Sequence, residues 1–132
     1  MDKLGLGRKM QAFQAGKPRL MKLIANNAVN FFKVTNFNAE AFVDVPNQKW
    51  APRKSKKDDA GRRLLVKTGH GRQSIHTQTL TGDKVTIVAE APYMKFHNEG
   101  TKKLPKRQFM GKSEVLDGQN LRIVDRFIKS IL

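Results

Sequence analysis

The sequence contains no cysteine, which excludes disulfides, thiolate metal sites and cysteine nucleophiles. It also contains no run of about 18 apolar residues, so no membrane-spanning helix is expected. The first ten residues, MDKLGLGRKM, lack the apolar stretch of a secretory signal peptide. These absences leave a chain without a predicted membrane or secretory segment.

Acidic residues are scarce. The 132 residues include 11 Asp and Glu against 26 Lys and Arg, which gives a formal net charge of +15, and mean hydropathy is −0.55. Such a charge attracts polyanions, or suits a subunit that is neutralised by an acidic neighbour. The length is typical of one domain, and we predict a single domain over residues 1–132.

Helical periodicity is clear in the first third of the chain. Apolar residues at three- and four-residue steps predict a helix over 18–34, with a proline in its first turn. Residues 2–15 predict a weaker helix because glycines interrupt them, so 1–17 is expected to be a flexible or weakly helical arm. Alternating apolar residues predict a strand over 40–45, which Pro46 ends.

The middle and end of the chain predict a mixture of elements. Residues 46–63 have no apolar period and predict a long basic loop, which Trp50 pins to the core. A hairpin is predicted around Gly82-Asp83, with short helices at about 71–76 and 92–98. The strongest helical pattern covers 119–132. We therefore predict an α+β fold in which the terminal helices pack on a small antiparallel β-sheet.

Motifs for catalysis and cofactor binding are incomplete. His97-x-Glu99 is half of the zinc deaminase signature, but the required cysteine pair is absent. Gly111-Lys112-Ser113 resembles the end of a phosphate-binding loop, but Lys106 stands where that loop needs glycine. Ser74 and His76 lack an orienting acid and a nucleophile elbow. We expect no enzyme activity, no metal and no cofactor.

Cations cluster in two predicted loops. A duplex bound by both clusters would be held through its phosphates, with steep salt dependence and no base reading, because base-reading motifs are absent. The clusters, which are candidate contacts to DNA or to a partner protein, comprise Arg53, Lys54, Lys56, Lys57, Arg62 and Arg63, and then Lys102, Lys103 and Lys106, with Arg107 adjoining.

Three short motifs follow one another in an order that resembles a known family. They are Thr68, Gly69, Ser74 and Ile75; Tyr93, His97 and Gly100; and Pro105, Arg107, Phe109 and Gly111. A hairpin separates the first two motifs, and a helix follows the third. Over about 80 residues this order resembles the phage virion morphogenesis family, the tail completion proteins of Mu-like phages, and the related tail-component family of long-tailed phages. Met94, Lys106 and Gln108 depart from the family pattern.

The resemblance implies a structural role for these residues and no catalytic site. Tyr93, Phe96 and His97 would pack, with His97 also hydrogen-bonding, Phe109 would anchor the last segment, and Arg107 would pair with a carboxylate in the fold or on a neighbour. The implied function is a tail completion or neck subunit, made in the bacterial host cytoplasm, that forms a hexameric ring at the head–tail junction of the virion. Its implied partners are the tail tube and connector proteins, with non-specific contact to genomic DNA. The alternative is a cytoplasmic protein that binds nucleic acid without sequence preference.

Overall fold

A computed structural model describes residues 5–52 and 70–132 of the chain. Within these ranges helices alternate with short antiparallel strands. The helices are α1 (Leu6–Asn30), a π-helical turn (Phe31–Thr35), α2 (Asn36–Ala39), α3 (His70–Gln73), α4 (Met94–Glu99) and α5 (Glu114–Ile131). The strands are β1 (Ala41–Phe42), β2 (Gln48–Lys49), β3 (Ile75–Leu80) and β4 (Val85–Ala89).

Helix α1 joins the two helices that the sequence predicted separately. It runs unbroken through Gly16 and Pro18, so the predicted N-terminal arm is helical from Leu6 onward. A proline inside a helix removes one backbone bond and costs about 3 kcal/mol. Packing against α5 offsets this cost, since the Phe13 and Phe127 ring centroids lie 5.7 Å apart on either side of the seam.

The π-helical turn changes which residues face the core. A π-helix bonds each amide to the carbonyl five residues earlier, as Asn36 N does with Phe31 O, and its wider turn keeps Phe31 and Phe32 on roughly the same side as Asn36 and Phe37. All four of these residues are buried. The chain therefore stays helical to Ala39 and turns at Glu40, whose φ is 50°.

The predicted strand over 40–45 is mostly irregular. Only Ala41–Phe42 is extended, and it pairs with Gln48–Lys49 inside the predicted loop. The prediction of a loop from 46 to 63 was therefore wrong at its start, because β2 returns the chain to β1. Trp50 is buried, as predicted, and its ring lies edge-on to Phe37 at 5.3 Å. The rest of the predicted loop, residues 53–63, lies outside the described ranges.

The predicted hairpin is confirmed, and both short helices are present with shifted bounds: the helix predicted at 71–76 ends at Gln73, because residues 75 and 76 begin β3, and the helix predicted at 92–98 is Met94–Glu99. Strands β3 and β4 pair antiparallel from Ile75 opposite Ala89 to Leu80 opposite Val85, with an irregularity between Thr77 and Thr79. Helix α3 precedes the hairpin and α4 follows it.

Helix α5 begins five residues before its predicted start. Ser113 caps it, since its hydroxyl accepts a hydrogen bond from Leu116 N at 3.3 Å. Glu114 and Asp117 in the first turn also suit the positive end of the helix dipole.

The α+β class is confirmed, and residues 5–52 and 70–132 form two two-stranded sheets where one was predicted. Helix α1 packs against α5 and against the β3–β4 hairpin. Lys17 on α1 bonds Asp83 in the hairpin turn at 2.5 Å, and this bond and charge hold the pKa of Asp83 below its ordinary value. The buried residues of the hydrophobic core include Ala28, Phe31, Phe32, Phe37, Trp50, Ile75, Ala91, Met94, Phe109 and Leu116.

The two long helices form an antiparallel pair that extends beyond this core. Asn27 on α1 donates to Gln119 at 3.2 Å and to Asn120 at 3.0 Å, whereas Phe13 meets Phe127 further along. In the described chain, α1 buries no residue before Leu20, and α5 buries none after Leu116. We call residues 6–19 of α1 and 121–131 of α5 the helical arm.

Candidate functional site

The segment from Pro105 to Gly111 passes through the fold without regular secondary structure. Its amide groups bond to α4, which precedes it. Arg107 N donates to His97 O at 2.8 Å, and the Asn98 side chain accepts from Phe109 N at 2.9 Å and from Met110 N at 3.0 Å. The third family-like motif is therefore a crossing segment, and one asparagine supplies two of its bonds.

Its carbonyl groups bond to the first part of the chain. Asn36 donates to Phe109 O at 2.8 Å, and the Trp50 indole donates to Gln108 O at 2.7 Å. The Phe109 ring is buried and lies 5.8 Å from the Phe37 ring. The segment is therefore held between α2 and α4, and the buried Phe109 ring lies where an anchoring role would need it.

The Arg107 side chain turns into the fold, where it is only 9% exposed. Its guanidinium donates to Ala51 O at 2.9 Å and to Pro52 O at 3.3 Å. Charge-assisted bonds of this kind are stronger than neutral ones. Arg107 thus connects Ala51 and Pro52 to the crossing segment. That it pairs with a carboxylate stays a prediction.

Glycine is required where α4 ends. Gly100 has a φ of 79°, which side-chain-bearing residues rarely adopt, and a Cβ there would lie 3.0 Å from Lys106 N. This close approach lets the chain fold back directly from α4 into the crossing segment. A Cβ at Gly111 would meet the Gln108 amide at the other end of the segment.

The first family-like motif is only partly described, since Thr68 and Gly69 lie outside the described ranges. Ser74 closes α3, with its amide on His70 O at 2.9 Å and its hydroxyl on Gly71 O at 2.6 Å. Ile75 follows as a buried residue and begins β3. The described part of this motif forms a turn into the hairpin.

Two histidines line a cleft beside that turn, together with Ser74 and Glu90. His76 Nε2 lies 3.2 Å from Glu90, and His76 Nδ1 lies 2.9 Å from the Ser74 carbonyl oxygen. The Ser74 hydroxyl donates to Gly71 O rather than to the imidazole. Within residues 5–52 and 70–132, no three His, Asp or Glu side chains group closely enough to hold a metal ion.

His97 faces inward from α4, but its ring bonding differs from the prediction. Its Nδ1 is buried and finds no hydrogen-bond partner among the described residues. Burial lowers the pKa of His97, and the nearby Arg107 charge lowers it further. The neutral imidazole is therefore the favoured form, with its ring edge-on to Tyr93 at 6.3 Å.

Tyr93 and Phe96 were predicted to pack; Phe96 does not enter the core, and Tyr93 packs only on one side, where its ring lies 6.4 Å from the His70 ring. Tyr93 is 44% exposed and Phe96 is 51% exposed, whereas Met94 between them is buried. Helix α4 has fewer than two turns, so only one side of it meets the core. Met94 and His97, three residues apart, take that side, and the two aromatic rings face outward.

Exposed lysines lie close to these two residues in the sequence. Lys102 and Lys103 lie in the turn after α4, which Thr101 N closes on Leu104 O at 2.9 Å, and Lys106 follows. Lys95 is exposed on α4 itself. We call Tyr93, Phe96 and these four lysines the α4 face. The six predicted loop cations from Arg53 to Arg63 lie outside the described ranges.

A second exposed apolar patch lies at the end of the helical arm. Met10 is 67% exposed and Leu132 is 74% exposed, with Leu6 beside them. Together with Phe13 these residues line one shallow depression. We call Leu6, Met10, Phe13 and Leu132 the arm tip. It shares no residue with the α4 face.

Sequence reasoning missed three polar residues that organise the crossing segment: Asn36, Asn98 and Ser113. Ser113 carried a usable signal, since a serine before an acidic residue and an apolar run is typical of a helix start. Its hydroxyl donates to Val43 O at 2.7 Å as well. The two asparagines carried no comparable signal, because their partners are distant in sequence.

No protein-family model, curated protein or solved structure matches this chain. No helix in the described ranges is long and apolar enough to cross a membrane.

Proposed function

We propose that this chain is a structural phage virion protein: a tail completion or neck subunit that forms a hexameric ring at the head–tail junction. The subunit is made in the host cytoplasm and docks onto the tail tube and the connector. The family-like motifs support this proposal, because Ser74, Gly100, Arg107 and Phe109 build turns, crossings and core contacts.

Two exposed surfaces carry the proposal: the apolar arm tip, and the α4 face with its two aromatic rings and four lysines. A ring needs a head-to-tail interface, in which each subunit offers two different surfaces. The arm tip and the α4 face are two such surfaces on different elements. Large exposed apolar groups in clusters are typical of protein contacts.

The net charge of +15 fits the same location. A ring at the head–tail junction surrounds the path of the genome, where sequence-independent attraction to phosphate is compatible with passage. An acidic face of an adjoining ring would neutralise the same charge.

Mass spectrometry of purified virions tests the proposal. The expected result is the chain at about six copies per particle, at the ratio of a single ring to the tail proteins. Wild-type particles that are purified to homogeneity and lack the chain would rule out a virion location.

The α4 face favours a second function, which is sequence-independent nucleic-acid binding. Exposed rings offer stacking surfaces to unpaired bases, and lysines neutralise phosphates. Fluorescence anisotropy with labelled duplex and single-stranded oligonucleotides tests this function. Charge reversal at Lys102, Lys103 and Lys106 should lower the salt dependence on duplex by about 2.7 log units per log unit of salt if all three contact phosphate.

The matched control for that experiment reverses Lys9 and Lys22 on α1 and Lys84 in the turn between β3 and β4. Equal losses in both triple variants would indicate general charge attraction, and the α4 face would then have no special part in binding.

A further inference from the structure

A groove of about 450 Å³ runs along the seam between α1 and α5 in the helical arm. Ala12, Arg19 and Leu23 line it from α1, at steps that keep them on one side of a helix. Ile123, Phe127 and Ile131 line it from α5 at four-residue steps, with Arg126 at the edge of this row. Two parallel ridges with a gap between them are the shape that a third helix fills.

The floor of the groove is apolar, and Leu23 is 44% exposed there. Apolar surface that is left in water favours a partner that covers it. Gly16 deepens the groove, because the absence of a side chain lets the Phe127 ring lie against α1.

The walls of the groove are cationic. Arg19 stands on one side and Arg126 on the other, and neither forms an ion pair with a residue of the described ranges. The neighbouring carboxylate of Asp125 is taken by Lys129 at 2.9 Å. Each guanidinium is therefore available to a carboxylate from outside, which it can hold through two parallel bonds.

We propose that this groove binds an amphipathic helix of a partner protein, whose apolar stripe is flanked by Asp and Glu side chains. The apolar floor takes the stripe, and Arg19 and Arg126 take one carboxylate each. A second copy of this chain fits less well, because it brings another +15 charge to a cationic groove. The inference adds a binding partner to the proposed assembly role. It rests on that role for one point, which is that the partner is a virion protein.

Synthetic helical peptides of about 18 residues provide the probe. The first peptide carries a leucine stripe flanked by glutamates, the second has lysines in place of the glutamates, and the third has alanines in place of the leucines. We expect the Leu/Glu peptide to bind the full chain at least about tenfold more tightly than either of the others. Amide shifts in NMR spectra should concentrate at Ala12, Leu23 and Ile123.

Charge-reversal variants separate groove binding from general attraction. Arg19→Glu combined with Arg126→Glu should weaken the Leu/Glu peptide about tenfold or more. The matched control combines Lys22→Glu with Lys112→Glu, which makes the same change in net charge at exposed positions outside the groove. This control should change affinity by less than about threefold.

Three results would overturn the inference. The first is equal binding of the Leu/Glu and Ala/Glu peptides. The second is an equal loss of affinity for the Leu/Glu peptide in the two double variants. The third is a concentration-dependent dimer that only the Arg19/Arg126 variant abolishes. Sedimentation of each variant detects the third, in which a second copy occupies the groove. A chain that is found in virions but binds no peptide would leave the proposed function standing without this inference. A chain that binds the peptide but is absent from virions would leave peptide binding by the groove standing and would rule out the proposed function.

Discussion

At the scale of single residues, polar side chains hydrogen-bond the backbone of the crossing segment, as a neighbouring strand would in a larger sheet. The crossing segment has no neighbouring strand, and its backbone groups bond to Asn36, Asn98 and Trp50 instead. A buried backbone group that loses its partner costs about 1–3 kcal/mol. The positions of these few side chains therefore decide whether the segment keeps its path.

Asn36→Ala should lower the free energy of unfolding by about 2–4 kcal/mol, because it leaves Val43 N and Phe109 O without their partner. Urea unfolding followed by circular dichroism measures the change. The control Asn26→Ala, at an exposed position of α1, should stay within about 0.5 kcal/mol of wild type. Equal effects of both substitutions would contradict the role given to Asn36.

His97 should make stability depend on pH. Its pKa is lowered in the folded protein, so below about pH 6.5 the unfolded chain binds the proton more readily. Stability should therefore fall as pH drops from about 7 to 5.5, and be independent of this group above that range. Replacement by Gln should flatten the slope measured by thermal unfolding.

The control for that experiment is His70→Gln, at an exposed position of α3, which should keep the slope. A slope that survives His97→Gln unchanged would mean that the imidazole of His97 is not the group responsible.

At the scale of elements, the helical arm depends on close approach of α1 and α5. A Cβ at Gly16 would lie 2.6 Å from Phe127 Cε2, which is shorter than any relaxed contact. Gly118 on α5 has nothing within 4 Å of the same position. Gly16 and Gly118 thus have the same intrinsic helix propensity but differ in how closely they are packed.

Gly118→Ala should raise the free energy of unfolding by about 0.5–1 kcal/mol, which is the helix propensity difference. Gly16→Ala should instead lower it by about 1 kcal/mol, since overpacking costs about 1–3 kcal/mol. Chemical unfolding of both variants compares them directly. A gain of equal size at both positions would show that the helices do not approach as described.

Periodic elements could be predicted from the sequence, and elements set by tertiary contacts could not. The hairpin around Gly82-Asp83 and the helix ending the chain have clear local patterns, and both are present. The π-helical turn has no local signature, so the continuation of the first helix to Ala39 was missed. The orientation of Tyr93 was missed because one short helix cannot show from its own residues which side meets the core.

At the scale of the whole molecule, high charge and exposed apolar surface oppose each other. A net charge of +15 keeps free subunits apart, whereas the arm tip and the α4 face favour contact. Assembly is then expected where polyanions or acidic neighbours neutralise the charge. A head–tail junction supplies both, which connects the surfaces of the subunit to its proposed place.

Electron microscopy of lysates from an infection by phage lacking this one protein tests the central claim most directly. We expect separate DNA-filled heads alongside finished or overlong tails, because the joining ring would be missing. Supplying the wild-type chain from a plasmid should restore joined particles. Normal joined virions in the absence of the protein would contradict the account.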